Sequence, residues 1–263
     1  MTRVAAAILA AVTLAGCGSA ADHRRESVDR YIAKINDAQS NALVPWQRAQ
    51  RGYVAVGSGK VTDSQLRDLA EAPRTIRTLR ARIAEEPAPA AARRLRARLL
   101  RLLDLDARFA AEVETFARYV RDVAPVERQV ASATVQLRKS LQRTRDSVLE
   151  RQALVRYGAR LDTLRRRLRR LAPPRALAPW HTEQLARLAT LRGGADDLTK
   201  GLATRDVALT QRGLDAVTGA AGASPVTVAD RAAIVAYNAR LKQIRAAAAA
   251  VAVEQNRLTR VLT

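Results

Sequence analysis

Beginning at Val28, apolar and small residues return at alternating steps of four and three, and no other feature constrains the fold as tightly. Val28, Ile32, Ile35, Gln39, Ala42, Trp46, Ala49, Tyr53 and Val56 form the first series. That spacing lays one stripe along an amphipathic helix and requires a neighbour to cover it. Leu69, Ala72, Ile76, Leu79 and Ile83 form a second seam, and Leu95, Leu99, Leu102, Asp106, Phe109, Val113, Phe116, Val120 and Val123 a third. Leu154, Tyr157, Leu161, Leu164, Leu168 and Leu171 give a fourth. Ile234, Tyr237, Leu241, Ile244, Ala248, Val251, Gln255, Leu258 and Leu262 give the last. The expected fold class is all-α, an extended antiparallel bundle of about six helices with coiled-coil-like seams.

Composition agrees with that pattern. Ala, Leu and Arg dominate, all good helix formers, and runs of Val, Ile, Thr and Tyr suited to strands are missing. Aromatics are only 3% of the 263 residues, so the core must be aliphatic. A single cysteine, Cys17, rules out an intrachain disulfide and a cysteine-based metal site.

Breaker residues mark the boundaries. Pro45 should kink or divide the first helix, which Gly57-Ser58-Gly59 ends. Thr62-Asp63-Ser64-Gln65 reads as a capping box starting the second, with Pro73 a local break or kink. Glu86-Pro87-Ala88-Pro89 forces a turn, because each proline disfavours helix in the residue before it. Pro125 is expected to separate the third helix from a long fourth one, roughly 126 to 171. Within that helix the seam of Leu137, Leu141, Thr144 and Val148 slips in register before Leu154. Ala172-Pro173-Pro174 stops it. A shorter helix then spans about 178 to 191, weakened by Gly193-Gly194, with one or two further turns between 196 and 218. Ser224-Pro225 starts the last helix, Ser as cap and Pro at its first position.

A weak repeat runs at an offset of 85. Thr78-Leu79-Arg80 matches Thr163-Leu164-Arg165, Arg82-Ile83 matches Arg167-Leu168, and Pro89 matches Pro174. Leu100 and Leu103 match Leu185 and Leu188. Duplicated helix, proline turn, helix hairpins around 76–121 and 161–206 would explain the matches; so would chance in Arg/Leu-rich sequence.

The N-terminus has a different character. Met1-Thr2-Arg3 carries a positive charge, Val4 to Leu14 is apolar, and Ala15-Gly16 are small. These are the three parts of a secretory signal, and the run is too short for a membrane span of roughly 20 residues. Leu14-Ala15-Gly16-Cys17 resembles the lipobox of bacterial lipoproteins. The resemblance covers residues 1–17 and implies cleavage before Cys17 and diacylglycerol on its sulfur, with no other cofactor. It divides the chain into a signal peptide (1–16), a lipidated tether (17–25) and a helical domain (26–263). It also places the protein on the extracytoplasmic side of the cell membrane.

The formal charge is +21, almost all of it from Arg, and losing residues 1–16 removes only Arg3. A basic exported surface suits anionic lipid, cell-wall polymer or envelope proteins. Arginine and alanine inflated together by a GC-rich genome would leave the same mark. Arg165, Arg166 and Arg169 lie in the densest basic segment, but Leu164, Leu168 and Leu171 interleave them at core spacing. They are the polar face of a helix, and with few aromatics for base stacking nucleic acid is a poor partner.

Catalytic chemistry is poorly supplied. His23 falls in the tether and His181 beside Trp180, after the Pro-Pro turn. No Glu-x-x-His pair, zinc-spaced histidines, nucleophile elbow or phosphate loop occurs, and Gly57-Ser58-Gly59-Lys60 is a linker. Asp106 stands on an inward stripe, as Gln39 and Gln255 do; if buried, it should have an arginine partner. The layout of Leu-rich helices around Pro173-Pro174, followed by His181, also resembles uncharacterised lipoproteins of high-GC Gram-positive bacteria. The expectation is a non-catalytic envelope module that binds or scaffolds anionic components or proteins. The alternative is a small-ligand or sensor module with a pocket near Trp46, Tyr53, Asp106 or Trp180.

Overall fold

The computed structural model describes residues 20–57, 61–144, 146–222 and 226–262. Among them are seven helices and no strand: α1 (Ala20–Gly57), α2 (Asp63–Glu85), α3 (Arg93–Arg143), α4 (Ser147–Arg169), α5 (Ala178–Thr204), α6 (Val207–Gly222) and α7 (Val226–Leu262). The fold is an all-α helical bundle. Cys17 and the Ser224-Pro225 start of the last helix lie outside the described residues. The polar residues 20 to 25, assigned to the tether, form the first turns of α1, with His23 exposed among them.

One helix organises the molecule. With 51 residues, α3 is about 75 Å long and serves two bundles in succession. Its first half packs with α1 and α2 through Leu95, Leu99 and Leu103 against Ile35, Ala49, Ile76 and Ile83. Its second half packs with α4 and α5 through Phe116, Val130 and Leu137, in the core that holds Leu154, Leu161, Leu168 and Leu191. α6 folds back on α5, and α7 runs antiparallel along α3. Arg98 of α3 donates to the Ala250 carbonyl (2.7 Å), and the Tyr237 hydroxyl of α7 donates to the Glu112 carbonyl (3.3 Å). Near the start of α3, Glu254 is 2% exposed and takes Arg257 at 2.6 Å and Arg98 at 3.7 Å.

The two proline turns are built alike. Pro89 (φ −53°, ψ 149°) leads into a short 3-10 turn and then α3; Pro174 (φ −56°, ψ 149°) leads into another and then α5. The backbone N–H groups of Ala92 and Leu177 each donate to the proline carbonyl three residues earlier, both at 2.8 Å. Burial matches at the same offset, Leu95 with Trp180, Leu103 with Leu188, Ala110 with Ala195 and Val113 with Leu198.

Local cap chemistry explains several boundaries. At α2 the Gln65 N–H donates to Thr62 Oγ1 (3.2 Å) and the Thr62 N–H to Gln65 Oε1 (2.9 Å), closing the expected capping box. Three boundaries differ from expectation. α3 continues through Pro125, and the break comes at Thr144 to Asp146, where the Val148 N–H donates to Asp146 Oδ1 at 2.8 Å. A helical proline costs about 3 kcal/mol. Burying Val123, Val126 and Val130 on the stripe around it returns about 1.5–3 kcal/mol each. α4 therefore starts at Ser147, not near 126, and Val148 is left exposed rather than in the seam. α5 likewise runs through Gly193-Gly194 to Thr204. A Cβ on Gly194 would lie 2.9 Å from the Gly213 carbonyl oxygen, so this glycine lets α5 and α6 touch backbone to backbone. The chain turns instead at Arg205, which sits at φ 58° in the left-handed region, and Asp206 caps α6 through the Leu209 N–H (3.0 Å).

Candidate functional site

Five of the nine aromatic residues gather halfway along α3, where the two bundles meet. Trp46 packs on Phe109 with ring centroids 5.2 Å apart, and Tyr53 packs on Tyr237 at 5.3 Å. Tyr237 reaches both Phe109 (6.1 Å, edge to face) and Phe116 (5.3 Å). Trp46 and Tyr53, expected to line a pocket, thus fill the space with rings from α3 and α7. The Tyr237 phenol is pushed well above its usual range, first by burial and then by Glu112 and Tyr53.

One turn before Phe109, Asp106 is 8% exposed, and its Oδ1 has no hydrogen-bond partner. The expected arginine is absent: Arg80 instead pairs with the neighbouring, half-exposed Asp104 at 2.6 Å. Burial alone raises the Asp106 carboxyl to about 7. An isolated carboxylate is costly to bury, so the group keeps its proton where aspartate normally loses it.

The C-terminal bundle treats its buried polar groups differently. His181 Nδ1 lies 2.9 Å from the Tyr119 hydroxyl, and the Tyr119 ring stands edge to face with Trp180 at 6.1 Å. Burial lowers the His181 pKa below its usual 6.5, so the imidazole is neutral at pH 7. Nearby, Thr134 and Tyr157 share a hydrogen bond of 3.1 Å, and Arg187 binds the Ala220 carbonyl (2.8 Å) and Gln184 (3.3 Å). A cavity of about 20 Å³ lies between Glu127, Gln184 and Arg187, room for about one water molecule. Trp180 and His181 are therefore brought together with Tyr119, while Trp46, Tyr53 and Asp106 belong to the junction. Asp196 pairs with Arg192, which also holds Asp162 at 3.0 Å.

On α4, Leu164 and Leu168 are buried and Arg166 and Arg169 exposed, as the interleaving predicts. Arg166 donates to Thr163 Oγ1 at 3.2 Å, and the Nε of half-buried Arg165 has no hydrogen-bond partner. Sequence reasoning passed over Tyr119 and Glu254. Both lie one position before the residue placed in the seam, Val120 and Gln255, and the true stripe passes through them. It also passed over the turn between α3 and α4, where exposed Val135, Val148, Leu149 and Val155 stand among Arg138, Lys139, Arg143, Arg151 and Arg156.

No family model, curated protein or solved structure matches the chain. Among the described residues no helix is long and apolar enough to cross a membrane.

Proposed function

We propose that this is a lipid-anchored lipoprotein of the cell envelope, a non-catalytic binding or scaffolding module held on the extracytoplasmic face of the membrane. One observation carries the reading: the only cysteine follows Leu14-Ala15-Gly16 at the end of a charged-then-apolar leader. Two features of the helical part support it. Its cations far outnumber its acids, which suits anionic lipid, wall polymer or acidic protein surfaces. Its large buried side chains pack against one another along a rod about 75 Å long, the form of a spacer with outward-facing surfaces. The matched proline turns support a duplicated hairpin as the origin of that rod.

The test is chemical. Mass spectrometry of the protein from the membrane fraction of its cells should give an N-terminal peptide beginning at Cys17 with diacylglycerol on the sulfur. Cys17→Ala should abolish the lipid and release the protein from membranes. A mature N-terminus elsewhere, or an unmodified Cys17 thiol, would overturn the reading.

A further inference from the structure

The α3–α4 end of the rod concentrates two properties that are scattered elsewhere. Val148 and Val155, seven residues apart on one face of α4, are 48% and 59% exposed, while Leu149 (48%) on another side of that helix and Val135 (49%) on α3 are also exposed near the same end. This is a second apolar stripe on a helix whose first, through Leu154 and Leu161, is already buried. A shallow groove joins Val148 and Val155 to Thr199 and Ala203 of α5, so the α5–α6 turn borders the same surface. Arg151 and Arg156 of α4 line the groove, and Arg138, Lys139 and Arg143 on α3 with Lys200 and Arg205 near the α5–α6 turn add further cations at this end. Among the described residues none of these seven forms an ion pair; of the nearby acids Asp146 and Asp206 cap helices and Glu150 stands in the first turn of α4, so the cations outnumber the acids.

We infer that this tip docks on an anionic lipid surface, the arginines and lysines holding headgroups while Val148 and Val155 enter the boundary between headgroups and chains. The inference deepens the proposed function and rests on its reading that the basic surface is functional. Charge complementarity selects a polyanionic partner, and the aliphatic side chains select a bilayer over a soluble polymer, which would leave them in water. Geometry adds a second element. Lys34, 14 residues into α1, pairs with Glu86 just before α3, so the tip lies the length of α3, about 75 Å, from that pair and farther still from the start of the described chain. Anchor and tip would touch membrane at two separate points.

The test uses the full chain with Cys17→Ser, which leaves no native thiol and no lipid, and one cysteine carrying a polarity-sensitive dye. The dye sits at Val148→Cys or, at the opposite end of the rod, at exposed Val253→Cys. Vesicles of phosphatidylglycerol with phosphatidylcholine should brighten and blue-shift the dye at 148 several-fold and leave that at 253 unchanged. Phosphatidylcholine alone and inorganic polyphosphate should leave both unchanged. Arg151→Glu with Arg156→Glu should weaken anionic-vesicle binding about 30-fold or more, since each cation near such a surface contributes about 1 kcal/mol. Arg205→Gly removes one tip charge while relieving a left-handed backbone, so it should weaken binding about fivefold with no loss of thermal stability. If the protein floats with anionic vesicles while the dye at 148 stays in water, the tip assignment fails and the basic-surface reading survives. An equal response to phosphatidylcholine or to polyphosphate overturns the anionic-bilayer assignment. Binding to neither vesicle nor polyphosphate overturns this inference and the basic-surface reading together.

Discussion

The two bundles strung along α3 share a proline turn and a burial pattern, yet treat their central buried polar groups differently. In the N-terminal bundle and its junction the Tyr31 hydroxyl and Asp106 Oδ1 are buried without a hydrogen-bond partner, and only Glu254, with Arg257 and Arg98, is paired. In the C-terminal bundle Tyr119 with His181, Thr134 with Tyr157, and Gln184 with Arg187 are each paired. The equivalent of Asp106 there, 85 residues on, is Leu191, which is 0% exposed. A scaffold of this kind therefore accepts a buried polar group by either route: supply a partner, or keep the group uncharged. The second route works only in part of the pH range.

The strongest way to break the comparison is to cut the junction that both bundles use. Phe109 is 0% exposed and holds Trp46, Tyr53 and Tyr237 around it. Phe109→Ala should cost about 3–5 kcal/mol in urea unfolding. Because α3 is continuous, both bundles should lose stability in one transition. Two well-separated transitions in the wild type, only one of them moved by the substitution, would make the bundles independent.

Asp106 sharpens the comparison by pH. The folded chain holds its proton up to about pH 7, whereas an unfolded aspartate releases it near pH 4. The folded state thus binds more protons across that window, and the Asp106 contribution to stability falls as pH rises from about 4 to 7. Asp106→Leu, which copies the Leu191 position, should raise stability at pH 8 by about 3 kcal/mol and much less at pH 4. Equal gains at both values would mean that ionisation of Asp106 plays no part.

What the sequence discloses follows from the range of the interactions involved. The helical periodicity was legible, though Gln39, Leu102, Val120 and Gln255 each stand one residue from the buried position and Ala248 is exposed. The Thr62 capping box and the turns at Pro89 and Pro174 were legible too, because each depends on residues a few positions apart. Pro125 and Gly193-Gly194 misled because their local cost is outweighed by what approaches from elsewhere. Buried valines carry α3 through the proline, and α6 packs so close to α5 that only glycine fits at 194. Asp106 was legible as an inward residue, but its missing arginine was not, since no local pattern says which side chains reach a position across three helices. His181 stood out as one of two histidines. Its partner Tyr119 did not, because a seam read one residue out of phase hid a buried tyrosine beside Val120.

The smallest effect tests the first route, the paired polar group. Tyr119→Phe keeps the ring against Trp180 but removes the hydroxyl that meets His181, and should cost about 1 kcal/mol. The wild type adds a pH signature of opposite sign to that of Asp106. The folded His181 takes up its proton only below its ordinary value of 6.5, so in the range beneath 6.5 the unfolded state binds more protons and stability falls as the solution is acidified. Since one long helix joins the bundles, global melting mixes the two trends; local opening separates them. Amide exchange at matched intrinsic rates, followed from pH 7.5 to about 5, should show amides of α4 and α5 losing protection while those of α1 and α2 gain it. His181→Gln should flatten the first trend and leave the second, and Asp106→Leu the reverse. If both bundles respond alike to pH in the wild type, the buried polar groups are not what distinguishes them, and the comparison must rest on packing alone.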